Sequence, residues 1–204
     1  MLRAARGPRP PAMDGSLGRR RLAWAVVAMM TVLPATQAAA GKHDDAVTAP
    51  GLEAALAAHE LMALDGTALD ASSLHDQVVV LNFWATWCKP CHRELPRLDA
   101  LHREISKHGG RVVAISVDRD AENIRRFLAE NRLDLPVYHD GPEGLARTLH
   151  LRYLPYTVVL NRKGEIAYTA AGAEERMIAG IEETARQLVG LRTIAAASPS
   201  KETP

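Results

Sequence analysis

The stretch Val78–Pro96, VVVLNFWATWCKPCHRELP, constrains this chain more than any other. It opens with an apolar run, the pattern of a strand whose two faces both meet helices in a parallel or mixed sheet, so Val78 to Trp84 is read as the central strand. The run feeds directly into Cys88-Lys89-Pro90-Cys91. Beyond it Leu95, Leu98, Leu101 and Ile105 recur at three- and four-residue spacing, which predicts one helix from Lys89 to about His108, kinked at Pro96 and ended by Gly109-Gly110. Cys88 then falls at the first turn of that helix, where unpaired backbone N–H groups and the macrodipole favour a thiolate over a thiol. Cys88 and Cys91 are the only cysteines in the chain. No sulfur is left for a structural disulfide, so the pair is there to react.

The remaining pattern is that of one α/β domain. Leu52 to His59 is Ala-rich and predicts a helical turn. Leu61, Met62 and Leu64, then Asp65-Gly66-Thr67, then Leu69 predict two short strands around an Asp-Gly turn. Ser72-Ser73 is placed to cap a helical turn reaching Asp76. After the active stretch come a strand over Val112–Val117, a cap region at Asp118–Asp120, and a helix over Ala121–Asn131 with Ile124, Phe127 and Leu128 inward. A short strand is expected at Pro136–Tyr138 and a short helix at Gly144–Leu149. Val158–Leu160 and Glu165–Thr169 bracket Asn161-Arg162-Lys163-Gly164 and predict a closing antiparallel hairpin. The last helix, Glu174–Val189, presents Met177, Ile178, Ile181, Ala185 and Leu188 on one side and stops at Gly190.

Both ends lie outside that domain. Residues 1–40 run from an Arg- and Pro-rich lead through an apolar core, Leu22–Leu33, to Pro34 and Ala38-Ala39-Ala40, the order of a secretory signal cleaved after Ala40. The core is well short of the ~20 residues of a spanning helix. An uncleaved inner-membrane anchor is the competing reading, Met13 competes with Met1 as the start, and Arg19-Arg20-Arg21-Leu22 weakly suggests twin-arginine export. Residues 41–51 are read as a flexible lead, 52–190 as the folded domain, and 191–204, small and polar, as a disordered tail. With 25 basic and 24 acidic residues the net charge is +1, so nothing advertises a nucleic-acid or lipid partner.

The segment Phe83-Trp84-Ala85-Thr86-Trp87-Cys88-Lys89-Pro90-Cys91, extended by Glu94 and Pro96, resembles the active-site motif of the thioredoxin superfamily. In particular it is similar to the TlpA/ResA branch of exported thiol-disulfide oxidoreductases, which includes the cytochrome c maturation reductases. The resemblance runs from about Glu60 to about Val189. It implies a thioredoxin-like fold: a central mixed β-sheet flanked by helices, with an N-terminal β-hairpin extension and a central strand-helix insertion. It also implies a periplasmic monomer without cofactor or metal. Its clients would be disulfide-containing exported proteins such as apocytochrome c, and its electrons would come from a membrane thiol-disulfide donor.

The resemblance assigns roles residue by residue. Cys88 is the nucleophile, Lys89 adds positive charge beside it, Cys91 resolves the mixed disulfide, and Lys89 and Pro90 count with Trp87, Leu154 and Pro155 as substrate-binding residues. Leu154-Pro155 falls where the superfamily places a cis-proline loop, packed opposite the first cysteine and pairing with substrate; an ordinary trans proline opening an edge strand competes. Trp87 is read as a wall of the site and Trp84 as packing, each against ordinary core burial. Thioredoxin has a buried aspartate six residues before its first cysteine. Here Asn82 stands in that place and cannot titrate, so Glu94, one helical turn after Cys91, becomes the candidate acid/base. The plainer reading of Glu94 is a helix-start carboxylate favoured by the macrodipole. His92 is expected to face solvent.

Three functions compete. A reductant of exported client disulfides comes first. A disulfide-forming oxidase uses the same site, and Lys89-Pro90 does not locate the protein on the span of roughly −270 to −120 mV. A Cu(I)-holding metallochaperone is the third, since soft thiolates select that ion, though no Met or spaced His stands by. A zinc half-site and an inert buried pair remain as readings of a bare Cys-x-x-Cys.

Overall fold

Every side chain from Val78 to Trp84 is buried, and the strand they form, β2, is the middle of the molecule. The computed structural model describes residues 47–191. Around β2 lie α1 (Ala49–Ala58), β1 (Met62–Ala63), α2 (Cys91–Ile105), β3 (Gly110–Ser116), α3 (Ala121–Asn131), β4 (Val137–His139), α4 (Leu145–Thr148), β5 (Tyr156–Leu160), β6 (Ile166–Ala171) and α5 (Glu175–Leu188). Six strands pair in the order β1-β4-β3-β2-β5-β6. The β2–β3 and β3–β4 pairs are parallel, while β2–β5, β5–β6 and β1–β4 are antiparallel. This is the mixed, helix-flanked sheet expected from the sequence.

Strand alternation divides the core in two. Val78, Val80 and Trp84 point to one face, against Leu95, Leu98, Leu101 and Ile105 of α2, Ile124 of α3 and Ile181 and Ala185 of α5. Val79, Leu81 and Phe83 point to the other, against Leu52 of α1, Leu61, Leu74 and Leu145 of α4. Across the outer rim of the first layer, Arg97 of α2 makes a two-pronged ion pair with Glu182 of α5, 2.7 and 2.9 Å, and a further one with Glu175. Pro96 sits inside α2, which runs through it to Ile105 and ends in a turn of 3-10 helix, Ser106–His108, at Gly109 (φ 75°).

Local details depart from expectation at four places. Residues expected in the irregular lead open α1 at Ala49. Thr48 Oγ1 accepts from Gly51 N–H at 3.3 Å, and Pro50 occupies the first turn, where its missing N–H costs nothing. The expected first strand of the hairpin is reduced to β1, whose neighbour in the sheet is β4. Its second arm makes only a bridge, Met62 with Ala68, although Ala63 N–H to Thr67 O (2.7 Å) and Leu69 N–H to Leu61 O (2.7 Å) preserve the hairpin path. The following 3-10 turn, Ala71–Leu74, is capped by Asp70 rather than by Ser72-Ser73: Asp70 Oδ1 accepts from Ser72 N–H at 2.8 Å. Finally, α2 begins at Cys91 instead of Lys89. The expected signal at 1–40, residues 41–46 of the lead, and the tail beyond 191 lie outside the described residues.

Leu98 is fully buried between α2 and the sheet. Leu98→Ala is expected to cost about 2–5 kcal/mol in urea unfolding, through lost transfer energy and the cavity left behind. Leu98→Met, which conserves volume, is expected to cost under about 1.5 kcal/mol. Equal losses in the two would show that this layer is not close-packed.

Candidate active site

The sheet's pairing brings the reactive pieces to one end. Phe83 of β2 pairs with Tyr156 of β5, so the chain leaving β2 at Trp84 and the chain entering β5 through the cis Leu154–Pro155 bond lie side by side. Beyond Trp84 the backbone turns, Cys88 N–H donating to Ala85 O at 3.1 Å, and enters α2 through Lys89 and Pro90, both exposed. Cys88 and Cys91 are joined in a disulfide. The Cys91 N–H, at the helix start, donates to Cys88 O at 3.0 Å and points also at Cys88 Sγ, 3.3 Å away. A dipole so placed favours negative charge on that sulfur. Cys88 keeps 5% of its surface open and Cys91 none.

Asp118, just past β3, holds this turn in place. Its Oδ2 accepts from Thr86 N–H (2.8 Å) and from Ser116 Oγ (2.8 Å), and its Oδ1 accepts from Thr86 Oγ1 (2.6 Å). His139 Nε2 donates to Asp118 O at 2.7 Å, tying in β4. His92, exposed as expected, donates from Nε2 to Thr86 O at 2.8 Å and lays its ring 4.8 Å from that of Phe127. Trp84 is fully buried, 5.3 Å from the same Phe127 ring. Trp87 is 66% exposed, and Leu154 is half-buried.

Between α2 and the strands β2 and β5 lies a sealed polar triangle. Glu94, on α2 one turn after Cys91, is completely buried. Its Oε2 accepts from Asn82 Nδ2 and its Oε1 from Thr157 Oγ1, each at 3.0 Å, and Asn82 Nδ2 also donates to Thr157 Oγ1 at 2.9 Å. Asn82 and Thr157 are direct cross-strand partners on β2 and β5. Burial pushes the Glu94 carboxyl up to about 7, against the opposing pull of the Thr157 and Asn82 hydrogen bonds. A carboxyl poised there can take or give a proton near neutral pH. Sequence reasoning named Glu94 and Asn82 but missed Thr157 and Asp118. The available signal for Thr157 was a polar residue in an otherwise apolar strand, YTVVL, matched by Asn82 in VVVLNFW. Among the described residues no group of three or more His, Cys, Asp or Glu is placed to hold a metal ion.

A mixed sheet carrying a Cys-x-x-Cys disulfide at a helix start, with a cis proline beside the strand end, defines a thioredoxin-like redox protein. A profile of the AhpC/TSA family matches residues 49–169, and the chain belongs to that family. It is 30% identical over 116 residues to thiol-disulfide oxidoreductase ResA of Halalkalibacterium halodurans, covering 56% of this chain and 66% of that protein. It is 34% identical over 110 residues to ResA of Oceanobacillus iheyensis, covering 54% and 57%. The chain thus spans a little over half to just under two thirds of these relatives. Among solved structures, a secreted thiol-disulfide isomerase from Corynebacterium glutamicum is 29% identical with a TM-score of 0.57, covering 63% of this chain and 81% of that one. StoA from Bacillus subtilis, 23% identical with a TM-score of 0.52 over 61% and 93%, shares the fold.

Glu94 also links stability to pH. Because its folded value, about 7, lies above the ordinary 4.5, its contribution is full below about pH 4.5 and is lost as pH rises through 7. Glu94→Gln should remove that loss. Between those pH values the unfolding free energy of the native sequence is expected to fall by roughly 3 kcal/mol more than that of the Gln variant. Urea titrations of both oxidised proteins across the range check this; parallel pH profiles would mean that Glu94 titrates normally.

Proposed function

We propose that this protein is a thiol-disulfide oxidoreductase that reduces disulfides in exported client proteins. The observation that carries the reading is the Cys88–Cys91 disulfide at the start of α2, with 5% of Cys88 open to solvent and none of Cys91. In the reduced protein Cys88 thiolate attacks a client disulfide, forming a mixed disulfide and releasing one client thiolate, which takes a proton from water. Glu94 accepts the proton of Cys91, whose thiolate then attacks Cys88 Sγ. The Cys88–Cys91 disulfide forms, the second client thiolate leaves, and the client has gained two electrons. A membrane thiol-disulfide donor returns two electrons to the pair.

The similarity to ResA proteins and to a secreted thiol-disulfide isomerase supports this chemistry and an extracytoplasmic site of action. The proposal assigns residues 1–40 to an export signal, 41–51 to a lead, 52–190 to the working domain and 191–204 to a tail, with the mature monomer in the periplasm. Apocytochrome c is the client it favours. Trp87, Lys89, Pro90, Leu154 and Pro155 border the seat of the client.

Trapping tests the roles. Cys91→Ala is expected to accumulate mixed disulfides with client proteins on non-reducing gels, because no thiol remains to release them. Cys88→Ala is expected to accumulate none. Equal trapping by both variants would overturn the assignment of nucleophile and resolver. A Cys88–Cys91 potential near −120 mV, at the oxidising end of the superfamily, would turn the direction of transfer around.

A further inference from the structure

Among the described residues two carboxylates besides Glu94 are buried, Asp99 and Asp118. Asp99 is accounted for by the fold: its Oδ1 accepts from Asp134 N–H at 3.0 Å, and its Oδ2 pairs with Arg103 one turn along α2. Asp118 acts elsewhere, because the residue it grips stands two positions before the exposed cysteine. The donors to its carboxylate are neutral, Thr86 N–H, Thr86 Oγ1 and Ser116 Oγ, and Ser116 Oγ in turn accepts from Asp118 N–H at 3.1 Å. Hydrogen bonds to a buried charge are the strong ones and costly to break, so the carboxylate fixes its donors in place.

Thr86 is held from the other side as well. Its carbonyl accepts from His92 Nε2 at 2.8 Å, and His92 follows Cys91 on α2, its ring set against that of Phe127. Every hydrogen-bonding group of Thr86 is therefore committed, the N–H and hydroxyl toward β3 and the carbonyl toward the helix that carries the second cysteine. Asp118 is anchored in turn where His139 Nε2 of β4 donates to its carbonyl at 2.7 Å. From Thr86 the chain reaches Cys88 through Trp87 alone, and Cys88 N–H closes the turn on Ala85 O. The separation of the two sulfurs is thus governed by the bonds of Thr86 as well as by the short covalent tether.

We propose that Asp118 and His92 are positioning residues for the exchange: acting through Thr86, they hold the turn of Cys88 against α2, so that the Cys88–Cys91 disulfide closes more favourably than the tether alone would allow. This rests on the oxidoreductase reading above. In the closing step the Cys91 thiolate attacks Cys88 Sγ, the bond from Cys88 to the client sulfur breaks, and that sulfur leaves as a thiolate with the electron pair. Asp118 and His92 exchange neither electrons nor protons in it; they supply orientation, the advantage of a reacting partner already in place.

The test is the equilibrium of the full chain with glutathione, in which the reduced protein and one glutathione disulfide give the Cys88–Cys91 disulfide and two glutathione thiols. Thr86→Val keeps the shape and the backbone bonds but removes the hydroxyl. It is expected to lower the equilibrium constant roughly threefold, as is His92→Ala, while Thr86→Ser and His92→Gln, which keep a donor, recover most of the loss. Asp118→Ala is expected to lower the constant about tenfold, which raises the potential by about 30 mV. Asp118→Asn keeps an acceptor for Thr86 N–H and should stay near the native value; a fall as deep as that of the Ala variant would assign the effect to charge and overturn positioning. Asp99→Asn controls for lost stability alone and is expected to leave the constant unmoved. Should Asp118→Ala fail to fold in urea titrations, Thr86→Val and His92→Ala decide. Alkylation of Cys88 against pH, with Cys91→Ala in each protein, is expected to keep its midpoint in Thr86→Val; a shift that accounts for the whole change would also overturn positioning. Unchanged constants in Thr86→Val and His92→Ala, with the native sequence equilibrating, overturn the inference and leave the oxidoreductase reading standing. No exchange between the native sequence and glutathione overturns both.

Discussion

Burial of both faces of β2 is the constraint on which the rest depends. Its odd- and even-numbered side chains enter two separate apolar layers, and no side chain from Val78 to Trp84 reaches water. A strand enclosed in this way can offer chemistry only at its ends. At the carboxyl end the backbone must leave the sheet between β3 and β5, so Thr86 meets Asp118 from the β3 side, while Phe83 is paired with Tyr156, the residue after the cis Pro155, on the β5 side. The reactive turn is therefore held by its neighbours' loops, the usual placement of sites in α/β folds.

The same enclosure makes Glu94 costly and useful. A carboxylate under α2 loses its hydration, and two hydrogen bonds recover only part of that loss, which is why its affinity for a proton rises to about 7. Asn82 is the better neighbour for such a group than a second acid. Two carboxylates in contact could not both ionise, whereas an amide adds no charge and donates to Glu94 and Thr157 at once. Turned about its axis, the amide would present Oδ1 to a protonated Glu94; in the present orientation Oδ1 is buried without a partner.

What could be read from the sequence was local and periodic. The apolar run of β2, the stripe of α2, the whole of α3 and the proline before β5 each announce themselves within one short window, and the structure holds them there. Pairings between distant segments could not be read. β1 finds its partner in β4, far along the chain, and nothing in Met62-Ala63 specifies it. Asp70, Ser72 and Ser73 are all capable caps, and only the backbone path decides among them. Asp118 and Asp120 looked alike as cap residues. Asp120 does cap α3, through Glu122 N–H, while Asp118 reaches Thr86 because β3 lies beside β2 in parallel register.

Burial also sets the order of events in the proposed exchange. A client sulfur must approach one of the two protein sulfurs along the axis of the bond being broken, and Cys91, with no surface exposed, offers no such approach. Cys88 retains an opening, and its thiolate is met by the Cys91 N–H, while Thr86 behind it is clamped by Asp118. The clamp matters because the second step is intramolecular: Cys91 must find Cys88 Sγ while a client chain hangs from it. A turn free to swing with its cargo would lose that proximity, and with it the advantage of a tethered thiol over one from solution. Three hydrogen bonds to one carboxylate keep the turn fixed against β3, so in the proposed exchange the load of the client falls on the side where Trp87 is exposed.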